Sequence, residues 1–301
     1  MEHGLLYQLY HLSLFKVARM ARRWVRRQRF SRIDPDSPSR PVPELSHVYL
    51  ERRQIYAQRL VERVRQGEPL DGVLSGFNAR NFDERLAEYP YFVWWLYQQE
   101  PNQDLLDVGC TLNNKVVSRA LLDRCRQVWL TNPAYEAVLH VMNQAFYHVS
   151  KLEEAFPDGK QFPLVTCLST IEHIGYDNSQ YGKPSPGQYG EPSVEPLVSS
   201  LMQLVRLMQP GGRLLVSVPF GYRQGLIHPV TMEVFSQVFD APSIQVGLDA
   251  LEKAGVSATV TVYQIGERGW DQVAPEESHA RYADGTPGAG AVAFITGQKA
   301  S

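Results

Sequence analysis

The sequence predicts an α/β protein: a three-layer domain whose mostly parallel, seven-stranded sheet is covered by helices on both faces, preceded by helical additions. Three observations predict it. From residue 104 onward, apolar runs of strand length alternate with amphipathic runs of helix length. The run LLDVGC (105–110) ends an apolar strand in a glycine, and PLVTCLSTIEHIG (163–175) ends another in polar residues. LMQPGGRLLVSVPFG (207–221) joins a helix to a buried strand through a Pro-Gly-Gly turn, a strong punctuator.

The first element stands apart from that domain. Residues 1–32 carry Lys16, Arg19, Arg22, Arg23, Arg26, Arg27, Arg29 and Arg32 against one acid, Glu2. Leu6, Tyr10, Leu14, Val17, Ala21 and Trp24 recur at helical spacing, which predicts an amphipathic, basic helix over 1–29, with 4–29 as its contact region. An apolar face with an arginine-rich end suits a membrane surface with anionic headgroups. A helix packed on the body of the protein or on a partner chain is the plainer reading. Charge follows the apolar stretch, which is the reverse of a secretory signal.

Residues 30–44 hold four prolines and read as an extended linker. A helix follows over 45–67, capped by Ser46 and stopped by Gly67. Residues 81–99 predict an aromatic helix broken near Pro90, completing a helical extension over 45–99. Strands are predicted near 104–109, 127–131, 146–150, 163–169, 213–218, 258–265 and 291–298. Helices fall near 114–126, 134–144, 194–208 and 231–254, the last broken near Pro242. The final two strands lack a crossover helix between them, so they pair antiparallel.

Composition narrows the class. The 301 residues are 44% apolar and 21% charged with net charge −2, which is ordinary for a globular domain and argues against nucleic-acid binding. Three cysteines without a CxxC pair point to neither a disulfide framework nor a zinc site, and favour a reducing cytosol. No apolar run approaches the roughly 18–20 residues of a membrane span. A cytoplasmic protein is expected, peripheral at the inner face of a membrane if the basic helix meets lipid.

In a doubly wound sheet, ligands sit at the carboxyl ends of the strands where the order reverses. Asp107 and Gly109 end the first strand there, and Thr131 and Asn132 end the second, where an acid commonly holds ribose. Glu172 and His173 end the strand 163–169. An imidazole titrates near neutrality, so His173 is the candidate general base, with Glu172 orienting it or holding substrate. Capping of the next helix is the structural alternative for both. His228 is a reserve base, better read as a loop histidine. The Gly-, Pro- and Tyr-rich stretch 176–196 is a candidate lid, and 267–290 a candidate second wall. The first turn lacks GxGxxG and no acid follows the second strand, which speaks against a nicotinamide oxidoreductase.

LLDVGC, TCLSTIEHIG and LMQPGGRLLVSVPFG, in this order over roughly 100–220, resemble the class I S-adenosylmethionine-dependent methyltransferases. The STIEHIG segment, with the late Gly269-Trp270 and Arg281-Tyr282-Ala283-Asp284-Gly285, resembles a divergent branch associated with surface-polysaccharide synthesis. The resemblance implies a Rossmann-like methyltransferase domain over 100–301 with S-adenosylmethionine as cofactor. It implies that Asp107, Gly109, Cys110 and Thr111 border the methionine part, Asn132 lies near the ribose, and Ser169, Thr170 and Ile171 floor the pocket. Glu172 and His173 would face the transfer centre. The acceptor it implies is a sugar hydroxyl of a glycan or lipid-linked glycan. The chain departs from the family at Thr111 and Asn113, where glycines are usual, and at Asn132, where an acid is usual. These departures support a second reading, a non-catalytic scaffold in a glycan-assembly complex.

Overall fold

The computed structural model describes residues 39–41, 47–138, 145–176, 190–228, 232–284 and 286–301. The basic helix expected over 1–29, the Ser46 cap and residues 177–189 of the expected lid lie outside the described residues.

In chain order the elements are β1 (Ser39–Pro41), α1 (His47–Arg65), α2 (Leu70–Leu74), α3 (Arg85–Tyr97), β2 (Gln103–Val108), α4 (Lys115–Arg124), β3 (Cys125–Asn132) and β4 (Phe146–Val149). Then come β5 (Phe162–Leu168), α5 (Glu195–Leu207), β6 (Met208–Pro219), β7 (Gln224–Ile227), β8 (Val234–Val238), α6 (Ala241–Lys253), β9 (Val256–Ile265), β10 (Trp270–Val273) and β11 (Ala291–Lys299). The large sheet has the order β10-β9-β11-β6-β5-β2-β3-β4. Strands β2 to β6 run parallel, while β11 lies antiparallel to both β6 and β9. All seven expected strands are present, and β10 adds an eighth at one edge. This is a three-layer, Rossmann-like α/β fold.

The central strands are apolar on both faces because both are covered. Alternation sends Leu105 to one core and Leu106 to the other. The first core joins α1, α3 and α4 to Leu130, Leu164, Leu215 and Phe294. Tyr91 of α3 stacks on Phe294, with centroids 3.8 Å apart and planes 4° from parallel. The second core packs α5 and α6 on Val165, Cys167 and Val216. Gly67 ends the turn after α1 at φ +87°, as its position predicts.

Four expected elements differ. The Pro-Gly-Gly stretch expected as a turn is part of β6, which starts at Met208 rather than 213 and pairs there with Phe162 across a register shift. Helix α3 passes through Pro90 without a break. The proline removes only the hydrogen bond to the Leu86 carbonyl, and burial of nearly the whole helix outweighs that loss. Over the expected helix 134–144, Tyr135–Val138 are irregular, and 139–144 lie outside the described residues. The expected helix 231–254 is two elements: Val234–Val238 is a strand, and α6 starts afresh where Asp240 accepts a 3.0 Å bond from Ser243 N. Pro242 sits in the first turn of α6, where its missing N–H is harmless.

β8 pairs antiparallel with β7, and β1, from the expected linker, pairs parallel with β7. This small sheet lies beside the turn after β5. Among the described residues, no helix is long and apolar enough to cross a membrane.

Candidate functional site

The strand order reverses between β2 and β5, so the turns leaving their carboxyl ends diverge there and face one another. Both turns are strained. Gly109 and Cys110 lie at φ +95° and +59°, and Ser169 at φ +40°. A non-glycine residue in this region is uncommon, and such outliers gather at functional sites.

Asp107 does not point into the crevice. It is fully buried, its Oδ2 accepting from Leu112 N at 2.8 Å and its Oδ1 from Thr166 Oγ1 at 3.1 Å. The carboxyl braces the β2 turn from within, and burial raises its pKa to about 7. Gly109 is needed where it is: a Cβ there would lie 2.7 Å from Thr170 Cβ. Thr111 Oγ1 donates to Leu168 O at 2.7 Å, tying one turn to the other. Cys110 is buried, which pushes its thiol pKa up, and Ile171 is buried in the second core beneath the crevice.

At the end of β3, Asn132 Nδ2 donates to Glu136 Oε1 at 2.9 Å. Asn113 Nδ2 donates to Ala137 O at 3.0 Å, and Tyr147 OH donates to Ala134 O at 2.6 Å. These bonds hold residues 134–137 against the β2 turn and the end of β3 and bring a carboxylate beside Asn132. The expected helix over 134–144 assigns Glu136 no partner; the irregular backbone at 135–138 pairs it with Asn132.

Glu172 and His173 share the short 3₁₀ turn Ile171–His173 but form no bond to each other. With three residues per turn, successive side chains point about 120° apart. His173 Nδ1 lies 2.9 Å from Phe235 O on β8. A carbonyl only accepts, so Nδ1 carries the proton and Nε2 the lone pair. Desolvation lowers the imidazole pKa to about 4, which keeps it neutral at pH 7. His228 also contacts the Phe235 ring, at 5.5 Å between centroids.

Glu172 turns inward. It is buried, its Oε2 has no hydrogen-bond partner among the described residues, and desolvation raises its pKa well above the usual carboxylate range. Its charged surroundings come from α3 and the residue before it: Glu88, Arg85 and Glu84. Glu88 is fully buried and accepts from Ser169 Oγ (2.5 Å), Ser217 Oγ (2.6 Å) and Arg85 Nη1 (2.6 Å). Glu84 Oε2 accepts from Ala289 N at 2.7 Å, holding the expected second wall. Sequence reasoning filed this helix under aromatic core. The signal was there in DERLAE (83–88), four charges opening an otherwise apolar helix.

No protein-family model matches the chain, and no curated protein matches it in sequence. Solved structures do resemble it. The N-methyltransferase NodS from Bradyrhizobium japonicum WM9, in complex with S-adenosyl-L-homocysteine, is 9% identical with TM-score 0.40, covering 70% of this chain and 85% of that one. A SAM-dependent methyltransferase from Methanosarcina mazei is 12% identical with TM-score 0.43, covering 68% and 95%. The Burkholderia thailandensis 1,6-didemethyltoxoflavin-N1-methyltransferase is 12% identical with TM-score 0.42, covering 87% and 94%. The strand order, rather than these scores, defines the fold.

Proposed function

We propose that the chain is an S-adenosylmethionine-dependent methyltransferase whose acceptor is a sugar hydroxyl of a glycan or lipid-linked glycan. The observation that carries the reading is the pair of strained turns, Gly109–Cys110 and Ser169, facing each other where the strand order reverses. The cofactor, when bound, supplies an activated methyl group on a sulfonium. The residues at hand fit it. Backbone groups of Gly109, Cys110 and Thr111 border its methionine part, and Ser169 to Ile171 floor it. The Asn132–Glu136 pair offers a carboxylate to the ribose hydroxyls. Asp107 acts on the turn rather than on the ligand.

Methyl transfer needs alignment above all, and orientation supplies up to roughly 7–11 kcal/mol in well-aligned systems. His173, oriented by the Phe235 carbonyl, takes the acceptor proton at Nε2, although burial, lowering it to about 4, makes it a weaker base than the near-neutral imidazole expected from sequence. Glu172 is buried beside it, its pKa raised well above the usual carboxylate range by desolvation. The acceptor class rests on the STIEHIG resemblance.

A second reading, the non-catalytic scaffold, is favoured by one feature: Thr170 lies directly over Gly109, and Thr111 is bonded across the gap. Calorimetric titration of the purified chain with S-adenosylhomocysteine separates the two. The enzyme reading expects micromolar binding, weakened at least about tenfold by Gly109→Val, whose side chain meets Thr170 and whose backbone is strained at φ +95°. No binding at millimolar ligand gives the scaffold reading the lead.

A further inference from the structure

The helical extension places one buried carboxylate, Glu88, on the turn after β5. Glu88 lies 81 residues before Ser169 and 129 before Ser217, and it receives both hydroxyls on Oε1 while Arg85 occupies Oε2. Ser169 is also held from its other side, its backbone N donating to Ser217 O at 3.0 Å and to Ser217 Oγ at 3.1 Å. A serine at φ +40° persists only where its surroundings over-determine it, and these bonds are those surroundings. Ser169 fixes the direction of the next residue, and Thr170 is the one that packs on Gly109.

A buried Arg–Glu pair is a poor way to add stability, since apolar residues of the same shape serve as well or better. What an apolar pair cannot supply is an acceptor for the hydroxyl of a strained turn. We propose that Glu88 is a positioning residue: its carboxylate holds Ser169 in the left-handed conformation and so sets the β5 turn against the β2 turn for ligand binding. This rests on the methyltransferase reading for the identity of the ligand, but not for the restraint itself. The extension is then a working part of the site, contributing a residue that touches neither cofactor nor acceptor.

The test uses the full chain and two readouts, calorimetric affinity for S-adenosylhomocysteine and amide exchange resolved by residue. Glu88→Met is combined with Arg85→Met, so that no lone cation stays buried. In this variant the amides of 169–173 should exchange at least about tenfold faster while those of α6 and β9 are unchanged, and affinity should fall at least about tenfold. Adding Ser169→Gly should recover much of that affinity, because glycine adopts positive φ without steric strain. Loss that a merely structural role would cause spreads over the whole exchange profile and is not relieved by glycine.

If the double variant does not fold, Ser169→Ala removes the same hydroxyl and leaves the Glu88–Arg85 pair intact; local loosening is again expected. Unchanged exchange at 169–173, or no recovery with glycine, overturns the proposal. Should the unmodified chain bind no S-adenosylhomocysteine, the methyltransferase reading falls and the exchange arm alone decides this one.

Discussion

Asp107, buried behind the β2 turn, and His173, on the turn after β5, titrate in opposite senses. Burial raises Asp107 from 3.8 to about 7, so its contribution to stability is complete below pH 4 and lost as pH rises through about 7. Glu84, raised to about 7, and Glu172, raised well above its ordinary value, act in the same direction. His173 is lowered from 6.5 to about 4, so its contribution is complete above pH 6.5 and lost as pH falls through about 4. Three carboxyls outweigh one imidazole. The urea midpoint should therefore be lower at pH 7.5 than at pH 5, and Asp107→Asn should shrink that difference. A midpoint that climbs steadily to pH 7.5 would mean the buried carboxyls are ionised in the folded protein. At this scale the sequence revealed which residues occupy the strand ends, but not their directions. Asp107 was legible as a strand-end acid; that it faces inward depends on Thr166, which only strand pairing brings alongside.

Among the elements, the edge of the sheet is joined to the extension at one glycine. Gly269, at φ +139°, bridges to Ser75 just after α2, and a Cβ there would lie 2.8 Å from Ser75 Cα. Gly76 N donates to Arg268 O at 2.6 Å across the same contact. Gly269→Ala must adopt a backbone region that is nearly glycine-only and push against main chain, so a loss of about 2–4 kcal/mol is expected. Denaturant unfolding measures it; a change below about 0.5 kcal/mol would show the α2–β10 contact to be dispensable. Element boundaries were read well where the apolar pattern was long, as in β2 and β5, but β6 begins at Met208, five residues before the expected 213. They were read poorly at Pro90 and Val234–Val238. Burial kept the proline helix whole, and the strand β8 exists because β7 offers it an edge.

The whole molecule shares a core across its parts. Ala57, Leu60 and Leu96 of the extension belong to the same apolar cluster as Leu105, Leu164 and Phe294 of the sheet. Extension and sheet should therefore unfold together, so the tryptophan signal, with Trp94 and Trp95 on α3, Trp129 on β3 and Trp270 on β10 among the described residues, should track far-UV dichroism in one transition. Leu96→Ala, which empties a fully buried site, should shift both signals by the same amount, about 2–5 kcal/mol. A tryptophan transition that precedes the loss of sheet would separate the two parts.

Hydrophobic periodicity is a local property, and for that reason the sequence by itself determined the alternation of strands and helices, the parallel centre of the sheet and the antiparallel last pairing. It also marked the strand ends on either side of the point where the strand order reverses. Only the tertiary structure decided what those ends do. Glu88 meets Ser169 and Ser217, Asn132 meets Glu136 across an irregular loop, and His173 takes its orientation from a carbonyl on a strand the sequence reads as helix. Each of these pairings sets a direction for a polar group, and polar groups leave no periodic trace in sequence. Their partners are fixed by which segments the apolar cores bring together.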